Sequence, residues 1–196
     1  MSVEGIVAGG VHHALFLNGY LPAMPPFAEP GPVTPVALPE LLQRRIERVV
    51  REAVDVLDLD TCATHTEVKL GADGRMWVTE TALRFGGDLI VRQAEEVYGL
   101  DLIGMLVRQL LGRPVVYPRR MLREGHGAAA SLVAVPTDGA GEPWPPDEPG
   151  WDFTAVDWHT IPAPSARRWA GRYRAQGEAG MADPSSHWWS GSTGPC

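Results

Sequence analysis

The segment from Thr64 to Gly87, THTEVKLGADGRMWVTETALRFGG, constrains the fold more than any other part of the chain. Two runs of β-forming residues flank Asp73 and Gly74, and Asp-Gly between such runs is a strong signal for a hairpin with a type I′ turn. If these two residues form the whole loop, counting outward places Glu67 directly opposite Glu80. The segment is therefore predicted to be an antiparallel hairpin that carries two facing carboxylates.

The same register divides the other side chains of the hairpin between two faces, because alternate residues of a strand point to opposite sides. One face is predicted to be apolar, with Leu70 opposite Trp77 and with Val68 beside them. The other face is predicted to carry His65, Glu67, Lys69, Val78 and Glu80.

The two glutamates are candidate metal ligands. Facing carboxylates repel, since the Cβ atoms of such a pair are only about 5 Å apart. Mg²⁺ fits between them, because it prefers oxygen ligands and is usually held by one or two carboxylates together with nucleotide phosphates. The alternative is a hairpin at a sheet edge with a solvated charged face, where Lys69 and Arg84 neutralise Glu67 and Glu80.

Residues after the second strand suit an anion. Arg84 can offer a planar fork to a phosphate or carboxylate. Gly86 and Gly87 precede an apolar segment that is predicted to be helical, and glycines at a helix start allow the backbone to approach an anion closely. With Lys69, these residues are candidates for binding phosphate.

The order of these parts resembles the carboxy-terminal half of the ATP-grasp fold, in particular that of the carboxylate-amine ligases. HTEVKL, the Asp-Gly turn and a strand ending in E-x-x-x-R-x-G-G are similar to the HTE-x-K-L and E-V-N-x-R-x-G-G of that family. The resemblance implies that Glu67 and Glu80 bind Mg²⁺, that Arg84 contacts phosphate and a substrate carboxylate, and that ATP is the cosubstrate. One position differs, because Ala82 stands where the family usually has an Asn that is commonly a further metal ligand.

A segment rich in Pro and Gly, 19 to 39, is predicted to be mostly irregular. The family has a stretch like F-x-E-x-G-H here, whose Glu faces the amino group of the substrate. This chain has FAEPGP, so Glu29 matches and Pro32 replaces the His. Glu29 is either the residue that receives the amine or an ordinary surface acid.

The remaining patterns predict an α+β fold, a mainly antiparallel sheet of hairpins packed with about three helices and followed by an irregular carboxy-terminal tail. A tight hairpin is expected at Gly9 and Gly10, and adjacent His12 and His13 point to opposite faces there, so both are predicted to be structural. Further predicted elements are helices at 40–58, 88–99 and 101–112, the last two capped by Asp88 and Asp101, and a buried strand at 127–136.

The resemblance divides the chain into a partial ATP-grasp domain at 1–136 and a tail at 137–196. The tail is rich in Trp, Pro and Gly, and it is predicted to lack the strand pair and closing helix that the family would have next. The family alignment also places Met1 in the middle of the fold. The preceding half, with the lysines that contact ATP phosphates and the adenine-binding hinge, would then come from elsewhere, for which a separate chain is one candidate partner.

Composition excludes several classes of protein. The chain has 196 residues, a net charge of −7 and a pI near 5.3, so it lacks the basic surface of a nucleic-acid binder. Its first residues, MSVEGIVAGG, do not resemble a secretory signal, and no apolar stretch reaches the roughly 18 residues of a membrane span. Two cysteines make no disulfide framework. A soluble, cytoplasmic protein without nucleic-acid or membrane partners is expected.

Two functions remain open. The first is a fragment of an ATP-dependent ligase for carboxylates and amines. As the family implies, a substrate carboxylate attacks the γ-phosphorus of ATP, and an amine then displaces phosphate from the acyl phosphate. The second is a non-catalytic remnant or accessory subunit that has lost ATP recognition, which Ala82, Pro32 and the atypical tail favour.

Overall fold

A computed structural model describes residues 1–20, 31–134, 151–157 and 171–177. Within these ranges the chain forms three helices and an eight-stranded sheet with the strand order β5-β4-β1-β2-β3-β6-β8-β7. The strands are β1 (Ser2–Ala8), β2 (Val11–Tyr20), β3 (Pro32–Thr34), β4 (Thr61–Leu70), β5 (Met76–Ala82), β6 (Ala128–Ala134), β7 (Trp151–Asp157) and β8 (Gly171–Gly177). The helices are α1 (Glu40–Asp55), α2 (Ile90–Tyr98) and α3 (Leu102–Leu110).

The paired strands of the sheet are antiparallel, which confirms the predicted fold class. β1 and β2 form the expected tight hairpin, and Gly9 and Gly10 provide its positive φ angles of 56° and 77°. Alternate residues of β1 point to opposite faces. Val3 therefore packs in a core with α1, and Ile6 packs in a second core with α2 and α3.

The loop between β4 and β5 is longer than the two residues predicted. The Gly71 amide donates to the Arg75 carbonyl at 2.8 Å, and the Asp73 carboxylate accepts a hydrogen bond from the Arg75 amide at 3.0 Å. The loop therefore comprises Ala72, Asp73 and Gly74, and Gly74, with a φ of 76°, takes the left-handed position that ends a three-residue loop. Leu70 pairs with Met76, so the predicted pairing with Trp77 is wrong.

A β-bulge farther along β5 compensates for this shift. Val68 pairs with Val78 and Glu67 pairs with Glu80, so Thr79 is the extra residue. The pairing of the two glutamates is confirmed, although the loop and the strand each differ from the prediction by one residue. The predicted faces of Trp77 and Val78 are exchanged: Val78 packs against the α1 core, and Trp77 is 46% exposed.

Helix boundaries follow local capping chemistry. Asp101 caps α3 as predicted, since its carboxylate accepts a hydrogen bond from the Gly104 amide at 2.8 Å. The predicted cap at Asp88 is wrong, because Leu89 occupies the capping position of α2 with a φ of 65°. α1 ends at Asp55 instead of residue 58, and Leu57 is exposed beyond it.

The carboxy-terminal part of the chain contains a strand pair that was not predicted. β7 and β8 pair with each other, and β8 also pairs with β6, so the prediction that 137–196 lacks such a pair is wrong for 151–157 and 171–177. The domain boundary at 136 remains a prediction. In the described part of the chain, no helix is both long enough and apolar enough to cross a membrane.

Candidate functional site

The two facing carboxylates lie at one edge of the described sheet. Glu67 and Glu80 are directly paired across β4 and β5, and β5 is the edge strand. The side chain of Glu67 is 33% exposed and Glu80 is exposed, so an ion can reach both from solvent. Bulges such as the one at Thr79 are common next to active sites, where they change the direction of a side chain.

A buried acid-histidine pair lies beside Glu67. Glu4 of β1 is 0% exposed, and its Oε1 atom is 2.5 Å from Nδ1 of His65, its register partner on β4. The other ring nitrogen of His65, Nε2, is 3.6 Å from Oε1 of Glu67. Burial lowers the pKa of His65, but the hydrogen bond to Glu4 and the charges of Glu4 and Glu67 outweigh it, so this pKa is raised.

Glu4 also binds the backbone of Gly86, the first residue of the glycine pair. The Gly86 amide donates a hydrogen bond to Oε2 of Glu4 at 2.9 Å. A Cβ atom at Gly86 would lie 2.7 Å from Nδ1 of His65 and 2.6 Å from Cδ1 of Ile90, so only glycine fits there. Glu4 was not predicted as a site residue, although an acid inside the otherwise uncharged strand SVEGIVA was a usable signal.

A row of hydrogen-bonded polar side chains extends from Glu67 across β1 and β2. Ser2 pairs with Glu67 on one side and with Asn18 on the other. The Asn18 amide donates to Oγ of Ser2 and Oε1 of Glu4, each at 3.4 Å, and the Tyr20 hydroxyl donates to Oγ of Ser2 at 3.2 Å. The carbonyl oxygen of the Asn18 side chain is buried and has no hydrogen-bond partner among the described residues.

The other predicted site residues are placed less specifically. Arg84 is exposed, and its Nη1 atom donates to the Phe85 carbonyl at 2.9 Å. Lys69 is exposed opposite Trp77, and Gly87 is exposed with open space where a Cβ would be. Their roles in binding phosphate or substrate stay predictions. Glu29 lies outside the described residues, so its role is also untested.

The backbone after the glycine pair has an unusual conformation. Asp88 and Leu89 follow Gly87 with φ angles of 48° and 65°, in the left-handed region that residues with a Cβ rarely occupy. Such residues are concentrated at ligand-binding and active sites. The turn between β5 and α2 is therefore the second feature, after the facing glutamates, that makes this edge a candidate site.

The residues at the edge formed by β4 and β5 provide part of a Mg²⁺ site. Carboxylate oxygens are among the ligands that this ion prefers, and Glu67 and Glu80 supply that chemistry. Across 1–20, 31–134 and the two later strands, no group of three or more His, Cys, Asp or Glu side chains could hold a metal ion. Glu67 and Glu80 therefore fit an ion whose remaining ligands are oxygens of phosphate and water.

Comparisons with known proteins identify relatives for this chain. Alanine--anticapsin ligase of Bacillus subtilis is 30% identical over 125 residues, which are 63% of this chain and 26% of that protein. The corresponding ligase of Bacillus subtilis strain 168 is 33% identical over 107 residues, 55% of this chain and 22% of that protein. The chain therefore spans about a quarter of the length of these relatives. No family model matches it.

Solved structures share the fold at low sequence identity. L-amino acid ligase from Bacillus licheniformis matches with a TM-score of 0.70 and 19% identity, covering 90% of this chain and 46% of that chain. Phosphoribosylglycinamide synthetase from Anaerococcus prevotii matches with a TM-score of 0.65 and 15% identity, covering 90% and 47%. The homologues and structural neighbours are ligases of the ATP-grasp type, which confirms the resemblance in the sequence.

Proposed function

We propose, from its ATP-grasp homologues and from the site at the β4 and β5 edge, that the chain supplies the metal-binding half of an ATP-dependent ligase for carboxylates and amines. The observation that supports this most is the direct pairing of Glu67 with Glu80, beside a buried oxygen-rich strip. The chain corresponds to about half of its structural neighbours, so the complete reaction needs further residues.

In this proposal the residues of the chain bind and orient. Glu67 and Glu80 hold Mg²⁺, which neutralises charge on the phosphoryl group that passes from ATP to a substrate carboxylate. The Arg84 guanidinium breaks its hydrogen bond to the Phe85 carbonyl and then binds phosphate or that carboxylate. An amine then displaces phosphate from the acyl phosphate and forms the amide.

The two glycines take different parts in this arrangement. The Gly86 amide already donates to Glu4, so Gly86 serves through its lack of a side chain rather than as a donor to phosphate. The exposed Gly87 lies next to it, with open space around its Cα atom. Its backbone can approach an anion at the start of α2.

The test measures Mg²⁺-dependent ADP release in the presence of ATP and mixed amino acids. We expect the chain alone to give no ADP above background, since preorganised contacts to phosphate supply most of this catalysis. A hybrid in which the chain replaces the matching half of the Bacillus licheniformis L-amino acid ligase is expected to release ADP. Glu67→Gln and Glu80→Gln in the hybrid should each lower the rate by at least about 100-fold.

A matched control removes a charge elsewhere on the same hairpin. Arg75→Gln breaks an exposed ion pair with Asp73 in the turn and should leave the rate unchanged. ADP release by the chain alone that is lost in Glu80→Gln would show that no second half is needed. Equal rates in the parent hybrid and in both glutamate variants would refute the assigned metal site.

A non-catalytic accessory role is the second candidate. It is favoured by Ala82, which pairs with His65 two residues beyond Glu80 and offers no ligand atom to an ion. On this alternative, the hybrid folds and binds ATP but releases no ADP. The same assay therefore separates the two functions.

A further inference from the structure

We propose that Glu4 and His65 are positioning residues, which hold the metal-binding carboxylate of Glu67 and the Gly86 backbone in a fixed relation to each other. The inference rests on the proposed function of Glu67. It assigns a role to two buried side chains on β1 and β4 that no phosphate or metal contact explains.

The burial of Glu4 indicates that its contacts are specific. Its side chain is 0% exposed in a sheet whose neighbouring core is apolar, and placing a carboxylate there is strongly unfavourable unless all its hydrogen bonds are made. Both of its oxygens are used, one by Nδ1 of His65 and the other by the Gly86 amide. A buried acid-histidine pair is weak evidence for a gain in stability, so its place beside Glu67 points to a role in geometry.

The His65 ring is restricted in position by its neighbours. Glu4 fixes Nδ1 at 2.5 Å, and the ring packs so closely on Gly86 that a Cβ there would lie 2.9 Å from Cε1. With the ring held in this way, Nε2 faces Oε1 of Glu67 at 3.6 Å. Residues that orient a metal ligand without contacting the ion tune the affinity of the site for that ion.

The contacts of Glu4 connect three separate parts of the chain. Glu4 is 61 positions from His65 and 82 positions from Gly86 in sequence, so one carboxylate joins the first strand, the metal-binding strand and the turn that starts α2. A shift of Glu4 would therefore move Glu67 and the glycine pair relative to each other. The binding of metal and the position of the phosphate-facing turn depend on the same side chain.

The test measures the affinity of the full chain for Mn²⁺, by electron paramagnetic resonance, as a probe for the Mg²⁺ site. Glu4→Gln replaces one acceptor oxygen with a donor, and it should weaken Mn²⁺ binding by about 10-fold or more. The matched control is His12→Gln, which alters a buried histidine that bonds to Oγ1 of Thr64 away from Glu67. This control should leave Mn²⁺ affinity unchanged even where it lowers stability.

A second variant keeps the test valid if Glu4→Gln fails to fold. His65→Asn keeps a donor near the position of Nδ1 and removes the nitrogen that faces Glu67, so it should also weaken Mn²⁺ binding. The amide resonance of Gly86 in ¹⁵N spectra provides a readout that needs no metal. It should shift in Glu4→Gln and stay in place in His12→Gln.

The outcomes are distinct. Unchanged Mn²⁺ affinity in both Glu4→Gln and His65→Asn, with parent binding that Glu80→Gln abolishes, overturns the positioning role and leaves the proposed function standing. Absence of Mn²⁺ binding to the parent, or binding that survives Glu80→Gln, overturns the proposed function and this inference with it. Weakened binding in both variants, with the control unchanged, supports the positioning role.

Discussion

Glu67 and Glu80 are the residues on which the proposed site depends, and their pairing has a consequence for stability. Like charges directly opposite in a strand pair destabilise it, and His65 offsets this only on the side of Glu67. Glu80 is exposed, so water screens much of the repulsion. The expected cost of the pair without an ion is therefore small.

The variant Glu80→Gln tests this repulsion. We expect its free energy of unfolding at neutral pH to equal that of the parent or to exceed it by up to about 1 kcal/mol. Millimolar Mg²⁺ should raise the melting temperature of the parent more than that of the variant, because an ion that binds only the folded chain stabilises it by mass action. A loss of more than about 2 kcal/mol, without any effect of Mg²⁺ on either protein, would identify Glu80 as a structural residue instead.

His12 is the histidine whose titration should be visible in stability. It is 7% exposed, its Nε2 atom is bonded to Thr64, and burial, the largest effect, lowers its pKa to about 4 despite the nearby charge of Asp55. The folded state then holds a neutral ring, while the unfolded chain binds a proton near the ordinary pKa of 6.5. The stabilisation from the neutral His12 ring is complete above the pKa of the unfolded state. It is lost as the pH falls toward the pKa of the folded state.

Urea unfolding of the parent and of His12→Gln at about pH 7.5 and about pH 4 measures this loss. The parent should lose about 2 to 3 kcal/mol more than the variant over that range, since each unit of pKa shift is worth about 1.4 kcal/mol. Comparing the two proteins removes the contributions of His65 and His13, which titrate in both. Equal losses in parent and variant would mean that His12 is not buried in the neutral form.

The hairpin of β4 and β5 shows how far local patterns predict an element. Its strands and the pairing of its glutamates were predicted from the Asp-Gly turn, yet the loop is wider and Thr79 forms a bulge. An Asp-Gly pair suits a three-residue loop as well as a two-residue one, and β5 contains no Gly that would indicate the bulge. Two shifts of one residue cancel at Glu67, so the pairing of Glu67 with Glu80 was predicted correctly with the wrong register near the turn.

Replacing Gly74 with alanine tests the turn. Gly74 has a φ of +76° and open space around it, so the cost comes from the backbone alone and should be about 1 kcal/mol. Gly87→Ala is the matched control, because its surroundings are also open and its φ lies outside the left-handed region. It should change the free energy of unfolding by less than about 0.5 kcal/mol. Equal costs in thermal denaturation would contradict the assigned turn.

Elements that depend on distant partners were harder to predict. β7 and β8 were missed because the segment 158–170 between them is longer than the roughly 2 to 5 residues of a recognisable hairpin loop. The same limit applies to Glu4, whose partners lie 61 and 82 positions away. By contrast, the capping of α3 by Asp101 depends on neighbouring residues and was predicted.

The chain as a whole matches about half of a larger fold. Its alignment covers 90% of its own length and 46% of the L-amino acid ligase from Bacillus licheniformis. The sequence motifs identified the resemblance because HTEVKL, the Asp-Gly turn and E-x-x-x-R-x-G-G follow one another in the same order as in ATP-grasp ligases. Substrate choice could not be predicted, since Glu29 is the one candidate contact to an amine and lies outside the described residues.

Locating a bound ion on the folded chain tests the metal-binding role of Glu67 and Glu80 most directly. Mn²⁺ broadens the amide resonances of residues close to it, and we expect broadening first at Thr66, Glu67, Glu80 and Thr81 on the paired strands. Excess Mg²⁺ should reverse it, and Glu67→Gln should prevent it at the same Mn²⁺ concentration. Broadening that begins instead at Asp55 and Asp58, or that is unchanged in Glu67→Gln, would contradict a metal site between the two facing glutamates.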